Sequence, residues 1–142
     1  MTEDWQAPDA VSVMLDEYVT WAVVGLSGDQ SRTAYSIASL LQQRGKRIVP
    51  IHPSAPVVLG EQGYAELADV PFPIDVVDVF RRSEFAGEFA DQAVAVGARA
   101  VWFQLGVIDE AAFERTRAAG AAMVMDTCPA IEWRRRERAL RP

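Results

Sequence analysis

A short loop rich in glycine and serine follows an apolar segment near the start of the chain. Residues 21–24 are apolar, and Gly25-Leu26-Ser27-Gly28 comes directly after them. Glycine lets backbone N–H groups approach a ligand closely, and Ser27 adds a hydroxyl donor. The following stretch has a helical period, so a bound group would lie at a helix N-terminus, where an anion is favoured. The loop therefore predicts a site for a ligand that carries phosphate.

Residue types that catalyse reactions or hold metals are scarce in this chain. Cys128 is the only cysteine and His52 is the only histidine. A single cysteine forms no internal disulfide, and this pair is too small a set for a structural zinc site. No nucleophile is paired with a base in the sequence. We therefore expect no metal site and no catalytic residue of this chain's own.

The elements that would hold the loop alternate between strand-like and helix-like segments. The apolar pattern predicts an N-terminal helix over 9–18, and Ser83 and Asp109 are candidate N-caps of two later helices. Strands are predicted at 22–24, 47–51, 74–80, 100–104 and 121–125. Further helices are predicted after residue 32, over 83–96, over 110–119 and from 131 onward, with a short helical piece at 64–68.

This alternation predicts a single α/β domain over residues 1–142. Five strands joined by helices indicate a three-layer, Rossmann-like fold, with a mainly parallel five-stranded sheet and helices on both faces. Ligands of such sheets bind beyond the carboxyl ends of the strands. The first loop lies at that edge, and so do the residues that follow the other four strands.

Two common nucleotide motifs are disfavoured. The dinucleotide fingerprint needs further glycines, but counting from Gly25 its third position is Ser27 and its sixth is Gln30. No acidic residue ends the second strand to hold a ribose hydroxyl, which disfavours NAD. A P-loop is excluded because no Lys-Ser or Lys-Thr follows the glycines.

Five segments together resemble a known family. They are V-V-G-L-S, G-K-R-I-V-P-I-H-P, D-V-V-D-V-F-R-R, A-V-W-F-Q-L-G-V and V-M-D-T-C-P-A-I-E, in this order along the chain. The set is similar to the small stand-alone CoA-binding proteins. That family resembles the CoA-binding Rossmann domain of the succinyl-CoA synthetase alpha subunit and of related NDP-forming acyl-CoA synthetases. The resemblance covers about residues 11–132.

The resemblance implies coenzyme A, or an acyl-CoA, as the ligand. The first loop and Arg32 would hold its phosphates, Phe80 would lie against adenine, and Arg81 would reach a phosphate. Gln104 and Gly106 would line the path of the pantetheine. The residues expected to bind the cofactor are Gly25, Ser27, Gly28, Arg32, His52, Pro53, Phe80, Arg81, Gln104 and Gly106.

Two residues in these segments have open interpretations. His52 stands where the family usually has Asn, and it lines the pocket in our interpretation rather than acting as a base. Cys128 could attack a thioester or form a mixed disulfide with CoA. It has no cation or histidine beside it in the sequence to lower its pKa, so a role in shaping the turn is favoured over a redox role.

Charge and composition bear on partners and location. The formal net charge is −6, yet five of the fourteen Lys and Arg residues fall within the last nine residues. An acidic body disfavours general nucleic-acid binding, and the basic C-terminal tail, about 133–142, is interpreted as a solvated last helix. No apolar run is long enough for a membrane span, and the N-terminus lacks the features of a secretory signal. A cytoplasmic location is expected, with a homodimer or protein partner left open.

Three functions remain in order of preference. The first is a module that binds CoA or acyl-CoA without turnover, because the synthetases that share this domain need a phosphohistidine from a second domain absent here. The second is a protein-interaction subunit with a vestigial nucleotide site, docking through the C-terminal arginines. The third is an enzyme that acts on a CoA thioester through Cys128 or His52.

Overall fold

Five parallel strands form one sheet at the centre of the chain. The structure is a computed structural model and describes residues 4–140. The strands are β1 (Thr20–Val24), β2 (Arg47–Ile51), β3 (Val76–Val79), β4 (Ala100–Phe103) and β5 (Ala122–Val124). Their spatial order is β2-β1-β3-β4-β5, and every neighbouring pair is parallel. The predicted three-layer α/β fold is confirmed.

Helices cover both faces of the sheet. They are α1 (Pro8–Asp16), α2 (Thr33–Gln43), α3 (Ser83–Ala95), α4 (Glu110–Ala118) and α5 (Pro129–Ala139), with a short 3₁₀-helix at Leu67–Asp69. Helices α3 and α4 pack on one face, and α1, α2 and α5 pack on the other. Among residues 4–140, no helix is both long enough and apolar enough to cross a membrane.

Burial on both sides explains why the strands are almost continuously apolar. Alternate strand residues enter the two cores, so that Ala22 packs towards α3 and α4 while Trp21 packs towards α1 and α2. The Trp21 and Trp102 rings lie 5.7 Å apart, centroid to centroid, in the second core. Helix α2 buries the four residues expected from its period: Ala34, Ile37, Ala38 and Leu41.

Proline sets the start of the first and last helices. Helix α1 begins at Pro8 and ends at Asp16, so the predicted range of 9–18 started and ended slightly too far towards the C-terminus. Helix α5 begins at Pro129, two residues before the predicted start. Proline suits the first turn because its missing N–H has no partner to lose there and its fixed φ is helical.

The basic C-terminal segment is helix α5, as expected, and Arg134, Arg135 and Arg138 are exposed on it, while its other face packs on the domain. Trp133 is buried against α2, and Arg44 of α2 binds Glu137 at 2.8 Å. Arg136 binds Asp16 of α1 through both carboxylate oxygens. These contacts fasten α5 across α1 and α2. Residues 141 and 142 lie outside the described part of the chain.

The strand order creates a crevice at one edge of the sheet. Strand β1 is followed along the chain by β2 on one side, whereas β3 lies on its other side. The connections after β1 and β3 therefore leave in opposite directions, and a gap opens between them at the carboxyl ends. The glycine-serine loop lies at this switch point.

Candidate functional site

A cleft of about 1140 Å³ opens at the carboxyl edge of the sheet. Its walls come from the ends of β1 to β4 and from the beginnings of α2 and α5. Eight of the ten residues expected to bind a cofactor line it: Gly25, Ser27, Arg32, His52, Pro53, Phe80, Arg81 and Gln104. The structure thus brings most of the residues predicted from the sequence together in one cleft.

Gly25 fixes the course of the first loop. Its φ is +96°, which side-chain-bearing residues rarely adopt, and a Cβ here would lie 3.4 Å from the carbonyl oxygen of Phe80. The Gly25 N–H donates to the Ile51 carbonyl at 2.8 Å. The loop is therefore held between the ends of β2 and β3, and the backbone angle is what requires glycine, because a Cβ would make only an ordinary contact with Phe80.

The beginning of α2 faces the cleft without a side-chain cap. Arg32 occupies the N-cap position and makes no capping hydrogen bond, and no acidic residue lies in the first turn. Thr33 and Ala34 line the cleft. Unpaired N–H groups in this first turn, together with the helix dipole, favour a bound anion.

Two more helix N-termini reach the same cleft. Arg82 is the N-cap residue of α3 and makes no capping hydrogen bond, whereas Cys128 is the N-cap residue of α5 and its thiol faces the N–H groups of Ala130 and Ile131. Both residues line the cleft, as does Arg134 one turn into α5. The described lining holds four arginines, Arg32, Arg81, Arg82 and Arg134, and no Asp or Glu. Although the chain is acidic overall, the cleft is therefore positively charged, which favours a bound phosphate.

Gly28 and Gly106 are outside the cleft wall. Gly28 is exposed, and a Cβ there would meet no atom within 4 Å. Gly106 has φ +82°, and its N–H donates to Asp126 Oδ1 at 2.8 Å. Its carbonyl accepts from Ser83 Oγ, which in turn accepts from the Ile108 N–H.

The contacts of Ser83 also correct a prediction. Ser83 is the first residue of α3 rather than its N-cap, which is Arg82. The Ser83 hydroxyl bridges the start of α3 to the loop after β4, because it bonds to that loop instead of capping its own helix. Asp109, by contrast, caps α4 as expected and accepts from the Ala112 N–H.

The cleft is polar around His52 and aromatic around Arg81. His52 Nδ1 lies 2.8 Å from Ser54 Oγ, and the backbone N–H of His52 donates to the Tyr64 carbonyl. The Arg81 guanidinium lies 5.4 Å from the Phe85 ring centroid and 5.5 Å from that of Phe89. These cation–π contacts hold Arg81 beside an aromatic wall.

Three polar residues at the cleft are buried: Asp78, Gln104 and Cys128. The Asp78 side chain is fully buried on β3, and Gln104 Nε2 lies 2.5 Å from its Oδ1. Burial raises the pKa of Asp78 to about 8, and the contact with Gln104 opposes this only in part. Burial also raises the pKa of the Cys128 thiol, which N–H groups of Ala130 and Ile131 partly offset. Both groups are therefore neutral at pH 7.

The cleft is also lined by residues outside the ten candidates, among them Ser31, Thr33, Ala65, Arg82, Phe89, Leu105 and Arg134. Ser31, Arg82 and Leu105 lie in the strand-end loops where the sequence predicts the ligand to bind. Arg134 had no local signal, since only the packing of α5 beside α2 brings it to the cleft. Within the described range 4–140, no group of three or more His, Cys, Asp and Glu side chains could hold a metal ion.

The doubly wound sheet, the glycine bend and the cationic helix N-termini define a nucleotide-binding class of Rossmann-like domain. Residues 19–134 match the CoA-binding domain family, and this chain belongs to that family. The chain is 35% identical over 107 residues to the uncharacterized protein YneT of Bacillus subtilis, covering 75% of this chain and 79% of YneT.

Solved structures share the fold. A hypothetical protein from Pyrococcus horikoshii superposes with a TM-score of 0.86 at 29% identity, covering 95% of this chain and 98% of that one. A dinucleotide-forming acetyl-coenzyme A synthetase of Ca. Korarchaeum cryptofilum has a TM-score of 0.69 at 22% identity. The match covers 78% of this chain but 26% of the synthetase, so the shared unit is one part of that larger protein.

Proposed function

We propose that this protein binds coenzyme A or an acyl-CoA in the cleft at the carboxyl edge of its sheet and has no catalytic centre of its own. The observation that carries the proposal is the convergence of three helix N-termini, those of α2 and α3 without a side-chain cap, and four arginines on one cleft. Membership of the CoA-binding family supports the identity of the ligand.

The cleft suits the different parts of CoA. Its volume of about 1140 Å³ exceeds the range of about 300–1,000 Å³ typical of drug-sized ligands, as a molecule of this length requires. Gly25, Ser27 and the first turn of α2 would hold phosphate, with Arg32 adding a forked donor. Phe80 offers a face for adenine, and Gln104 lies where the pantetheine would pass.

The state of the reactive side chains supports binding over turnover. The Cys128 thiol is neutral at pH 7 because burial raises its pKa, whereas attack on a thioester requires the thiolate. His52 bonds to Ser54, two residues further along the same turn, rather than to Cys128, so it is not arranged to activate that thiol. A cytoplasmic location and a homodimer or protein partner remain predictions beside this proposal.

Isothermal titration calorimetry with CoA tests the proposal, using two arginine variants matched in chemistry. Arg32→Ala removes a cation from the cleft, whereas Arg138→Ala removes an exposed arginine of α5 outside the lining. We expect Arg32→Ala to weaken binding about fivefold, since an exposed charge contributes about 1 kcal/mol. Arg138→Ala should bind like the unmodified protein. No heat at millimolar CoA, or equal losses in both variants, would contradict the proposed site.

A further inference from the structure

Asp78 is the most unusual polar residue in the sheet. It lies in the middle of β3, opposite Val23 of β1 and Trp102 of β4, where apolar residues are the rule. Its Oδ2 has no hydrogen-bond partner, although the side chain is fully buried. A buried polar atom without a partner costs free energy, so its retention calls for a physical role.

The surroundings of Asp78 favour the carboxylic acid over the carboxylate. The Cys128 thiol interacts electrostatically with Asp78 and is neutral. Within the described residues 4–140, Gln104 is the hydrogen-bond partner of Asp78, and no cation stabilises its charged form. An ionised carboxylate would therefore be buried without a compensating cation.

The distance between Asp78 and Gln104 indicates which group donates. A separation of 2.5 Å lies at the short end of O–H···O distances, about 2.5–3.0 Å, and below those of N–H···O bonds, about 2.7–3.2 Å. A half-turn of the Gln104 amide brings Oε1 to the position facing Asp78 Oδ1. The acid proton of Asp78 then has an acceptor, and only a carbonyl-type oxygen is left without a partner, which proteins tolerate better than an orphan donor.

Gln104 connects this buried pair to the cleft, because it bonds to Asp78 and also lines the cleft wall. We propose that the Asp78 carboxylic acid donates a hydrogen bond to Gln104 Oε1, so that the Gln104 N–H groups are turned to the cleft and bind a carbonyl oxygen of the ligand. Asp78 is thus a positioning residue and Gln104 the contact. This proposal rests on the proposed function, since CoA supplies the carbonyl through its pantetheine amides and an acyl-CoA adds a thioester carbonyl.

Ionisation of Asp78 would reverse the arrangement. A carboxylate accepts only, so the Gln104 amide would turn its N–H groups to Asp78 and present Oε1 to the cleft. Gln104 Oε1 and the carbonyl oxygen of the ligand, both acceptors, would then face each other and repel. Carbonyl binding is therefore coupled to the proton on Asp78, and by linkage the ligand must also favour that proton.

The first test measures acetyl-CoA affinity by calorimetry at pH 7 and pH 9, since acetyl-CoA has no thiol to titrate. Ionisation of Asp78 should weaken binding about tenfold, from a lost hydrogen bond and an added repulsion. Because the pKa of Asp78 is about 8, this appears as about a fivefold loss of affinity between pH 7 and pH 9. Asp78→Asn keeps a neutral donor for Gln104 at both pH values, so its affinity should change less than twofold. Equal pH dependence in the two proteins would overturn the inference while leaving the proposed function standing. No binding by the unmodified protein at pH 7 would overturn both.

The second test needs no variant and so does not depend on the folding of Asp78→Asn. Carbon-13 NMR of the Asp78 carboxyl carbon follows its titration directly. Saturating acetyl-CoA should raise the pKa of Asp78 by about one unit, the linked counterpart of a tenfold change in affinity. A pKa unchanged by the ligand would overturn the inference. Repeating the titration with CoA distinguishes the carbonyls: a shift with both ligands indicates a pantetheine amide, and a shift with acetyl-CoA alone indicates the thioester.

Discussion

At the residue scale, the buried acid Asp78 gives the folded protein its clearest dependence on pH. Its pKa is about 8 in the folded chain against an ordinary value of 3.8. Between these values the folded state holds a proton that the unfolded state has lost. Raising the pH in this window therefore favours unfolding, by about 1.4 kcal/mol per pH unit, and the effect ends above the folded pKa.

Urea denaturation of the unmodified protein and of Asp78→Asn checks this pH dependence. The asparagine side chain of the variant cannot titrate, so the difference in the free energy of unfolding isolates the acid. We expect the unmodified protein to lose roughly 4 kcal/mol relative to Asp78→Asn between pH 5 and pH 8. A difference that stays constant over this range would show that Asp78 does not hold a proton in the folded state.

The residues of the site differ in how far the sequence could identify them. Gly25 was identifiable because a glycine after an apolar segment indicates a bend that needs positive φ, and the structure shows that bend. Gly28 looked equivalent in the sequence, yet it is neither strained nor at the cleft wall. Asp78 was invisible as a special residue, because only its strand register and the covering helices reveal that it is buried.

At the element scale, the connection between β1 and α2 is the part of the fold that shapes the cleft. Its backbone is held by the Gly25 N–H bond to Ile51 and by Asp29, which accepts from the N–H and hydroxyl of Ser31. This arrangement leaves the first turn of α2 open. A change that shifts the bend should therefore affect ligand binding more than it affects stability.

Gly25→Ala and Gly120→Ala form a matched pair for testing the bend. Their φ values are +96° and +94°, but a Cβ at Gly25 would contact Phe80, whereas one at Gly120 would meet nothing within 4 Å. Both variants should lose about 1–2 kcal/mol of stability in urea denaturation because of the backbone angle. Only Gly25→Ala should weaken CoA binding, by about tenfold in calorimetry. The cleft is not the binding site if Gly120→Ala weakens binding as much.

The elements themselves were predictable where local chemistry decides them. Strand β2 has the predicted bounds, and Asp109 caps α4 as its position suggested. The predicted third strand, 74–80, was longer than β3, Val76–Val79, although the backbone N–H groups of Asp75 and Phe80 still donate to β1 at its two ends. The start of α5 was misplaced because Pro129 was not weighed as the first helical residue.

At the scale of the whole molecule, charge is separated in space. The chain has a net charge of −6, yet the described cleft lining contains only basic charges. Arg134 reaches the cleft because ion pairs from α5 to α1 and α2 fasten that helix over the sheet. The sequence showed a basic segment but not its partners, since the residues it pairs with on α1 and at the end of α2 are 120 and 93 positions away.

The fold class, the family and the edge of the sheet that holds the cleft were all accessible from the sequence. Alternating strands and helices predict a parallel sheet, and a parallel sheet places its ligand at the carboxyl edge. The depth of the cleft, the aromatic wall beside Arg81 and the Asp78–Gln104 pair were not accessible. They depend on which side chains the packed helices bring together.

The central claim is that CoA binds at the carboxyl edge of the sheet, and amide chemical-shift mapping tests it most directly. Titration of nitrogen-15-labelled protein with CoA should shift the N–H signals of Gly25, Ser27, Thr33 and Ala34, whose residues line the cleft. The signals of Gly97 and Gly120, which precede β4 and β5 at the opposite edge, should stay in place. Shifts at that opposite edge, or no shifts at millimolar CoA, would contradict the account.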